Sequence, residues 1–439
     1  MSQDGANPSA HSSGLRIGPL RMQPGVALRH VLTLFFASFF GIATMSFINA
    51  SQPYVLTEII GVPFEEQGRL SGQLVFVQEV ALLALLTPIG AVSDKFGRKP
   101  VYATAFFIMG AAYFLYPLAG VVSTLVLFRI LFAAGVAGNA VMLPAVANDY
   151  PLEASRARML AACFICNGLG LVLILAVMRG LPVRFAELGL DPVTAGRYWL
   201  WTMTGVCIMV GSVILLGLKP GAPQQLQPRE PVLATFRVGI RAARNPRIAL
   251  AYLAASVSRG DMAVLSTFFV LWLTQAGVGA GLSTAEASQK ALTFYIVIQA
   301  FALPAAPVMG YVLDRIDRVV GLAIAMAIAA VGYFSLYLVA DPLGPTMFVA
   351  AALIGVGEMS ANLSATSLVG QEAPERGRGA VLGMWSWFGA AGILVVALAG
   401  GWLFDHVSRI GPFMFVATAN VVLLIWAVLL LRRGRQQAA

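Results

Sequence analysis

From residue 31 almost to its end, the chain is a succession of long apolar runs separated by short polar breaks. Twelve runs can be drawn, at about 31–52, 69–92, 99–118, 123–147, 158–179, 198–218, 247–275, 286–312, 319–340, 345–369, 379–403 and 412–431. Each is long enough to cross a hydrocarbon core of roughly 30 Å at about 1.5 Å of helix rise per residue. The pattern predicts an all-α integral membrane protein with twelve transmembrane helices. Residues 1–30 read as a tail, 31–218 as an N-terminal six-helix bundle and 219–246 as a polar linker. Residues 247–431 read as a C-terminal six-helix bundle and 432–439 as a second tail.

Composition agrees. Hydrophobic residues make up 59% of the chain and charged residues 11%, against about 25% charged in a soluble domain. A net charge of +9 on its own would admit a nucleic-acid partner, but its distribution argues otherwise. Of the 29 Lys and Arg residues, 21 fall in the tails, the linker and the loops on one side of the predicted bundle. Such asymmetry marks the cytoplasmic side. The expectation is a multi-pass protein of the inner (plasma) membrane with both termini cytoplasmic, a lipid bilayer as partner and no nucleic acid. No small-residue cleavage site follows the first run, so no removable signal peptide is expected.

Little points to catalysis. Cys163-Phe-Ile-Cys166 has C-x-x-C spacing but lies in an apolar run without a second pair, and reads as core packing, as does Cys207. The three histidines, His11, His30 and His406, fall outside the predicted spans. With no converging nucleophile, base or metal ligands, neither an enzyme, a cofactor nor a metal site is expected. No G-x-x-x-x-G-K-[ST] loop is present, which argues against ATP-driven transport.

The two bundles echo each other. Gly90-Ala-Val-Ser-Asp94-Lys95-Phe-Gly97-Arg98-Lys99 separates runs 2 and 3, and Gly310-Tyr-Val-Leu-Asp314-Arg315-Ile-Asp-Arg318 separates runs 8 and 9. A tight charged turn between two apolar spans must lie at the bilayer surface. Glu79 in run 2 aligns with Gln299 in run 8, and Pro151–Arg158 resembles Pro374–Arg378. Two joined six-helix repeats are a transporter plan, with the substrate site between the halves.

On these residues the chain resembles the major facilitator superfamily. Gly90, Asp94, Lys95, Gly97, Arg98 and Lys99 match its signature loop G-x-x-x-D-[RK]-x-G-[RK]-[RK], and Gly310, Asp314, Arg315 and Arg318 look like a degraded copy. Arg129-Ile-Leu-Phe-Ala-Ala-Gly135 is similar to a helix 4 pattern implicated in proton coupling in many members. The resemblance implies that Asp94 caps helix 11, that Arg98 pairs with an acid at the end of helix 4 (Asp149), and that the protein works as a monomer. The Gly-Pro step that drug/proton antiporters carry in helix 5 is absent from Cys166-Asn-Gly168-Leu-Gly170, which leans towards uptake or metabolite transport.

Charged residues near the bilayer centre are costly, at roughly 3 kcal/mol or more, and need a partner or a task. Glu79, Arg129, Arg259, Asp261 and Glu358 are such residues. Arg259 and Asp261 are two apart, about 200° around a helix, and so point to opposite sides. Glu358, Asn362 and Thr366 form an i, i+4, i+8 polar stripe. Each of these groups can be a structural ion pair or hydrogen-bonded group, or a site for protons or substrate. The functional reading is a secondary transporter for a small solute, coupled to protons and working by alternating access. Multidrug or metabolite efflux by proton antiport, and a non-transporting receptor of the same fold, are the alternatives.

Overall fold

The computed structural model describes residues 15–221, 232–375 and 377–438. Among the described residues, twelve helices are long and apolar enough to cross a membrane: α1 (Leu28–Ile60), α2 (Phe64–Phe96), α3 (Arg98–Leu118), α4 (Val122–Asp149), α5 (Glu153–Glu187), α6 (Pro192–Gly217), α7 (Pro246–Gly279), α8 (Thr284–Leu313), α9 (Arg318–Leu338), α10 (Thr346–Glu372), α11 (Arg378–His406) and α12 (Gly411–Arg433). The protein is therefore an all-α membrane protein.

Local chemistry sets the ends of these helices. Gly61 turns left-handed (φ 73°) before Pro63 starts α2, five residues earlier than the apolar run suggests. Asp191 accepts from Thr194 N at the start of α6. The Thr194 contacts hold that carboxyl below its ordinary range. Ser283 and Glu286 form a reciprocal capping box on α8, satisfying donors that a helix start otherwise leaves open. Gly97, at φ 94°, joins α2 to α3 in a single residue, a conformation other residue types resist.

Three features escape the apolar pattern. Arg16–Ile17 and Leu20–Arg21 pair as a small antiparallel hairpin, and Met22 bridges to Pro151. A helix at Val232–Ala242 occupies part of the linker; residues 222–231 of the linker, and residues 1–14 with His11, lie outside the described residues. His30 sits inside the first turn of α1, buried, with Nδ1 accepting from Ala27 N at 3.0 Å. It is a helix cap and not a loop histidine, because α1 starts three residues before the apolar run.

The halves repeat in space. In the first, α1 packs on α5, α2 on α4, and α3 on α4 and α6; in the second, α7 packs on α11, α8 on α10, and α9 on α10 and α12. The same close approaches recur. Gly170 of α5 lies so near the Phe39 carbonyl of α1 that no Cβ fits, and Gly392 of α11 meets the Ser256 carbonyl of α7 in the same way. Small residues let helix backbones approach where lipid supplies no hydrophobic drive.

The hairpin, the α2–α3 turn and the start of α1 lie at one end of the bundle, here the tail face; the other end is the far face. Among the described residues, the hydrogen bonds that join the halves all lie towards the far face. Asp405 accepts from Gly68 N (2.9 Å) and Arg69 N (2.6 Å). Gln275 Nε2 donates to Phe64 O and Gln67 Oε1, both at 3.1 Å. Arg179 Nη1 donates to Thr293 Oγ1 at 2.6 Å. One turn further along α2 from the Asp405 contact, Gly72 lies directly against the Ala397 carbonyl.

Candidate functional site

In the first half the central charge is Arg129. Its side chain is fully buried, donates through Nη2 to Asn49 Oδ1, and lies 6.0 Å from the Tyr116 ring centre. Among the described residues, Nε and Nη1 have no hydrogen-bond partner. Nearby, Asn139 of α4 and Asn167 of α5 converge on Gly41 of α1, and Asn139 Nδ2 meets Met45 Sδ at 3.0 Å. The Oδ1 atoms of Asn139 and Asn167 are buried without a partner.

The second half buries two acids. Asp261 is fully buried and accepts from Asn420 Nδ2 of α12 at 3.3 and 3.5 Å. Glu358 of α10 is 5% exposed and close enough to Asp261 for their charges to interact. Tyr295 of α8 and Tyr333 of α9 also lie within electrostatic range of Glu358. Glu358 Oε2, Tyr333 OH and Asn420 Oδ1 are buried without a partner. Below Glu358, Asn362 is half-buried and Thr366 returns its hydroxyl to the Asn362 carbonyl at 2.8 Å.

Arg259 points the other way. The two-residue step from Asp261 carries its side chain out of the second half's core towards α11, where the guanidinium lies 5.2 Å from the Trp385 ring centre and against Gly389. Across the boundary between the halves, Glu79 of α2 lies close enough for its charge to interact with that of Arg259. Among the described residues they do not form a direct ion pair within 4 Å. The structure thus places Glu79, Arg259 and Trp385 together between the halves. Asp261 and Glu358 lie inside the second half, and Arg129 inside the first.

The charged turns occupy the tail face. Arg98 donates to Asp94 Oδ1 (2.8 Å) and Ser93 Oγ (2.6 Å) through Nη1, and to Asp149 Oδ2 (3.1 Å) through Nε. It ties α2, α3 and α4 together. Ser93 Oγ donates to the Gly90 carbonyl, while Lys95 lies over Phe96. In the second half Arg318 pairs with Asp314 at 3.4 Å and donates to the Leu313 carbonyl. The acid at the end of α10, Glu372, is held by Arg247 of α7 (3.1 Å), which also pairs with Asp317 (3.3 Å). Burial pushes the Tyr150 phenol up to about 12, and its oxygen accepts from Lys219 N at 3.0 Å, tying the start of the linker to the end of α4.

Sequence reasoning missed Asp405, Gln275, Arg247 and Glu372. Each is an ordinary polar residue at a helix end, and only the partner reveals its work. Trp272, with a position suited to an interfacial belt, is 7% exposed and packs on Phe269 and Phe413. At the far face a cleft of about 450 Å³ between α5 and α8 is lined by Arg179, Arg184, Glu187 and Gln289, away from the central charges. No group of three or more His, Cys, Asp or Glu that could hold a metal ion occurs among the described residues.

The profile of the Major Facilitator Superfamily matches residues 34–342 and 281–439, which together span nearly the whole chain. The chain is 24% identical over 420 residues to magnetosome protein MamH of Paramagnetospirillum magneticum (strain ATCC 700264 / AMB-1), covering 93% of this chain and 94% of MamH. Magnetosome protein MamZ of the same strain is 25% identical over 403 residues, 89% of this chain but only 61% of MamZ. Among solved structures, the nucleoside transporter NupG (D323A mutant) superposes with a TM-score of 0.74 at 13% identity, covering 91% of this chain and 98% of NupG.

Proposed function

The chain belongs to the Major Facilitator Superfamily, and on that premise we propose that it carries a small polar solute across the membrane by alternating access, coupled to protons. The observation that carries this reading is the arrangement of the central charges. Glu79 and Arg259, on opposite halves, lie within electrostatic range of each other, while the hydrogen bonds between those halves gather at the far face. A solute reaching the boundary between the halves from the tail face meets a carboxyl, a guanidinium and the indole of Trp385. Rocking of one half against the other then exposes the same groups to the far face.

Asp261 and Glu358 supply the proton-carrying chemistry. Two carboxyls so near each other in a buried site do not both ionise without a large penalty. A proton gained or lost there changes the charge that Asn420 and the two tyrosines must accommodate. Proton movement down a 100 mV potential releases about 2.3 kcal/mol, enough to bias two states that lie within a few kcal/mol. The Asp94–Arg98–Asp149 cluster acts as the latch of the tail face, re-engaging the second half when that face closes. The clustering of basic residues supports a cytoplasmic tail face. The bacterial relatives support residence in the inner membrane.

Reconstitution in proteoliposomes with a trapped pH-sensitive dye tests this reading. Pooled zwitterions, sugars, nucleosides, organic anions and lipophilic cations are added outside wild-type protein and the Glu79→Gln, Asp261→Asn and Glu358→Gln variants. The expected result is a solute-dependent pH change that at least one variant abolishes while still exchanging labelled solute. Solute flux without a pH change, unaltered in all three variants, would return these acids to a structural role and make the protein a uniporter.

A further inference from the structure

The linker helix Val232–Ala242 lies on the outer flank of α11. Gly239 packs so tightly on Ala380 and Met384 that a Cβ would meet the Ala380 carbonyl at 2.7 Å. Tyr252 of α7 donates to the Gly239 carbonyl at 3.0 Å. Phe236 meets Trp387 edge-on, with ring centres 6.3 Å apart. The stripe that receives the helix is thus Ala380, Met384 and Trp387. Trp385, two residues from Trp387, carries the Arg259 contact. A two-residue step is about 200° around a helix, so the linker helix sits on the side of α11 away from Arg259 and the boundary between the halves, on the outer surface of the bundle.

Its outward residues fit that setting. Phe236, Val238 and Ile240 are 39%, 45% and 50% exposed, and Trp387 is 55% exposed, a concentration of apolar surface that water would not favour. Arg237 and Arg241, four residues apart, share the helix face opposite Gly239, and Arg244 follows in the turn just after the helix ends at Ala242. All three are exposed and form no ion pair among the described residues. A helix with a basic face flanked by exposed apolar residues matches the polarity gradient of a membrane interface.

We propose that Arg237, Arg241 and Arg244 form a docking site for anionic phospholipid headgroups of the leaflet at the tail face. Phe236, Val238, Ile240 and Trp387 take the upper acyl chains. Two guanidiniums on the helix face and a third in the turn that follows it supply donors for phosphate oxygens, and juxtamembrane basic residues gain affinity from an anionic leaflet. The Gly239 seat fixes the distance of the arginines from α11, so the site belongs to the docked helix and not to free linker charge.

Lipid retention on the full-length protein tests this. Protein reconstituted in mixed phosphatidylglycerol and phosphatidylcholine is extracted gently, and bound lipid is counted by native mass spectrometry. The triple variant Arg237→Gln/Arg241→Gln/Arg244→Gln is expected to lose phosphatidylglycerol retention by about tenfold or more, with unchanged thermal unfolding. The corresponding triple Lys variant keeps most of it. Gly239→Val, which unseats the helix, falls to the level of the Gln variant although every arginine remains. Equal retention by wild type and the Gln variant would overturn the proposal. So would full retention by Gly239→Val. Complete displacement of the lipid by excess inorganic phosphate would make this a site for free anions and overturn the lipid assignment.

Discussion

Asp405, at the end of α11, takes the backbone amide of Gly68 in α2 at 2.9 Å. A carboxylate of one half is thereby fastened to the main chain of the other, with a second bond from Arg69 N at 2.6 Å. The Asp405 side chain is only 2% exposed and is backed by Arg409 at 3.4 Å. Amide bonds to an ionised, shielded carboxylate are worth about 1.5–3 kcal/mol. That is enough to hold one state of a rocking protein without making it permanent.

Asp405→Asn is therefore expected to loosen the far face. An amide carries no charge and offers a single acceptor oxygen for two amide donors. In a background free of native cysteines, Ser71→Cys reports on this contact, because Ser71 is 1% exposed on α2. Its reaction with a membrane-impermeant thiol reagent added at the far face should speed up about tenfold or more in Asp405→Asn.

Two glycines separate closure from folding. Gly72 meets the Ala397 carbonyl across the halves, and Gly170 meets the Phe39 carbonyl within the first half. Gly72→Val should leave each half folded but force the far face apart, raising Ser71→Cys labelling with little change in Tm. Gly170→Val should instead destabilise the half itself by about 3 kcal/mol or more, read as a fall in Tm and in folded yield.

Arg129 gives a stability prediction of a different kind. Asn49 is its hydrogen-bond acceptor, and two of its nitrogens have none among the described residues. Asn49→Ala leaves the buried guanidinium less satisfied and should cost about 2 kcal/mol, measured by thermal unfolding in detergent. Asn49→Asp, which supplies an anion in the same place, should recover most of that loss.

At the tail face, Arg98 and Asp149 are part-exposed, at 18% and 40% of their side-chain surface. A double-mutant cycle with Arg98→Gln and Asp149→Asn should give a coupling of about 1 kcal/mol or less. A much larger value would mean that the pair holds the first half together rather than serving a latch that must open.

The helices were legible because bilayer thickness forces long apolar runs, and the α2–α3 turn because one residue, Gly97, must reverse the chain. Helical geometry also separated Arg259 from Asp261. Periodicity shows which face a residue occupies but not what it meets. Asp405 reads as one more acid beside His406, and Glu372 as a helix-end carboxylate, until α2 and α7 are placed against them. The linker helix was hidden by the same logic: eleven residues cannot span a bilayer, so the apolar scan passed over Val232–Ala242.

The central claim is that the two halves exchange closure between the faces. Paired spin labels test it most directly, one pair at Leu188 and Leu338 on the far face and one at Phe96 and Tyr311 on the tail face, all exposed positions. Distances are measured by double electron–electron resonance at high and low pH and in Asp405→Asn. The account predicts opposite changes, with the far-face distance lengthening as the tail-face distance shortens. Single distributions at both faces, unmoved by pH and by Asp405→Asn, would contradict it.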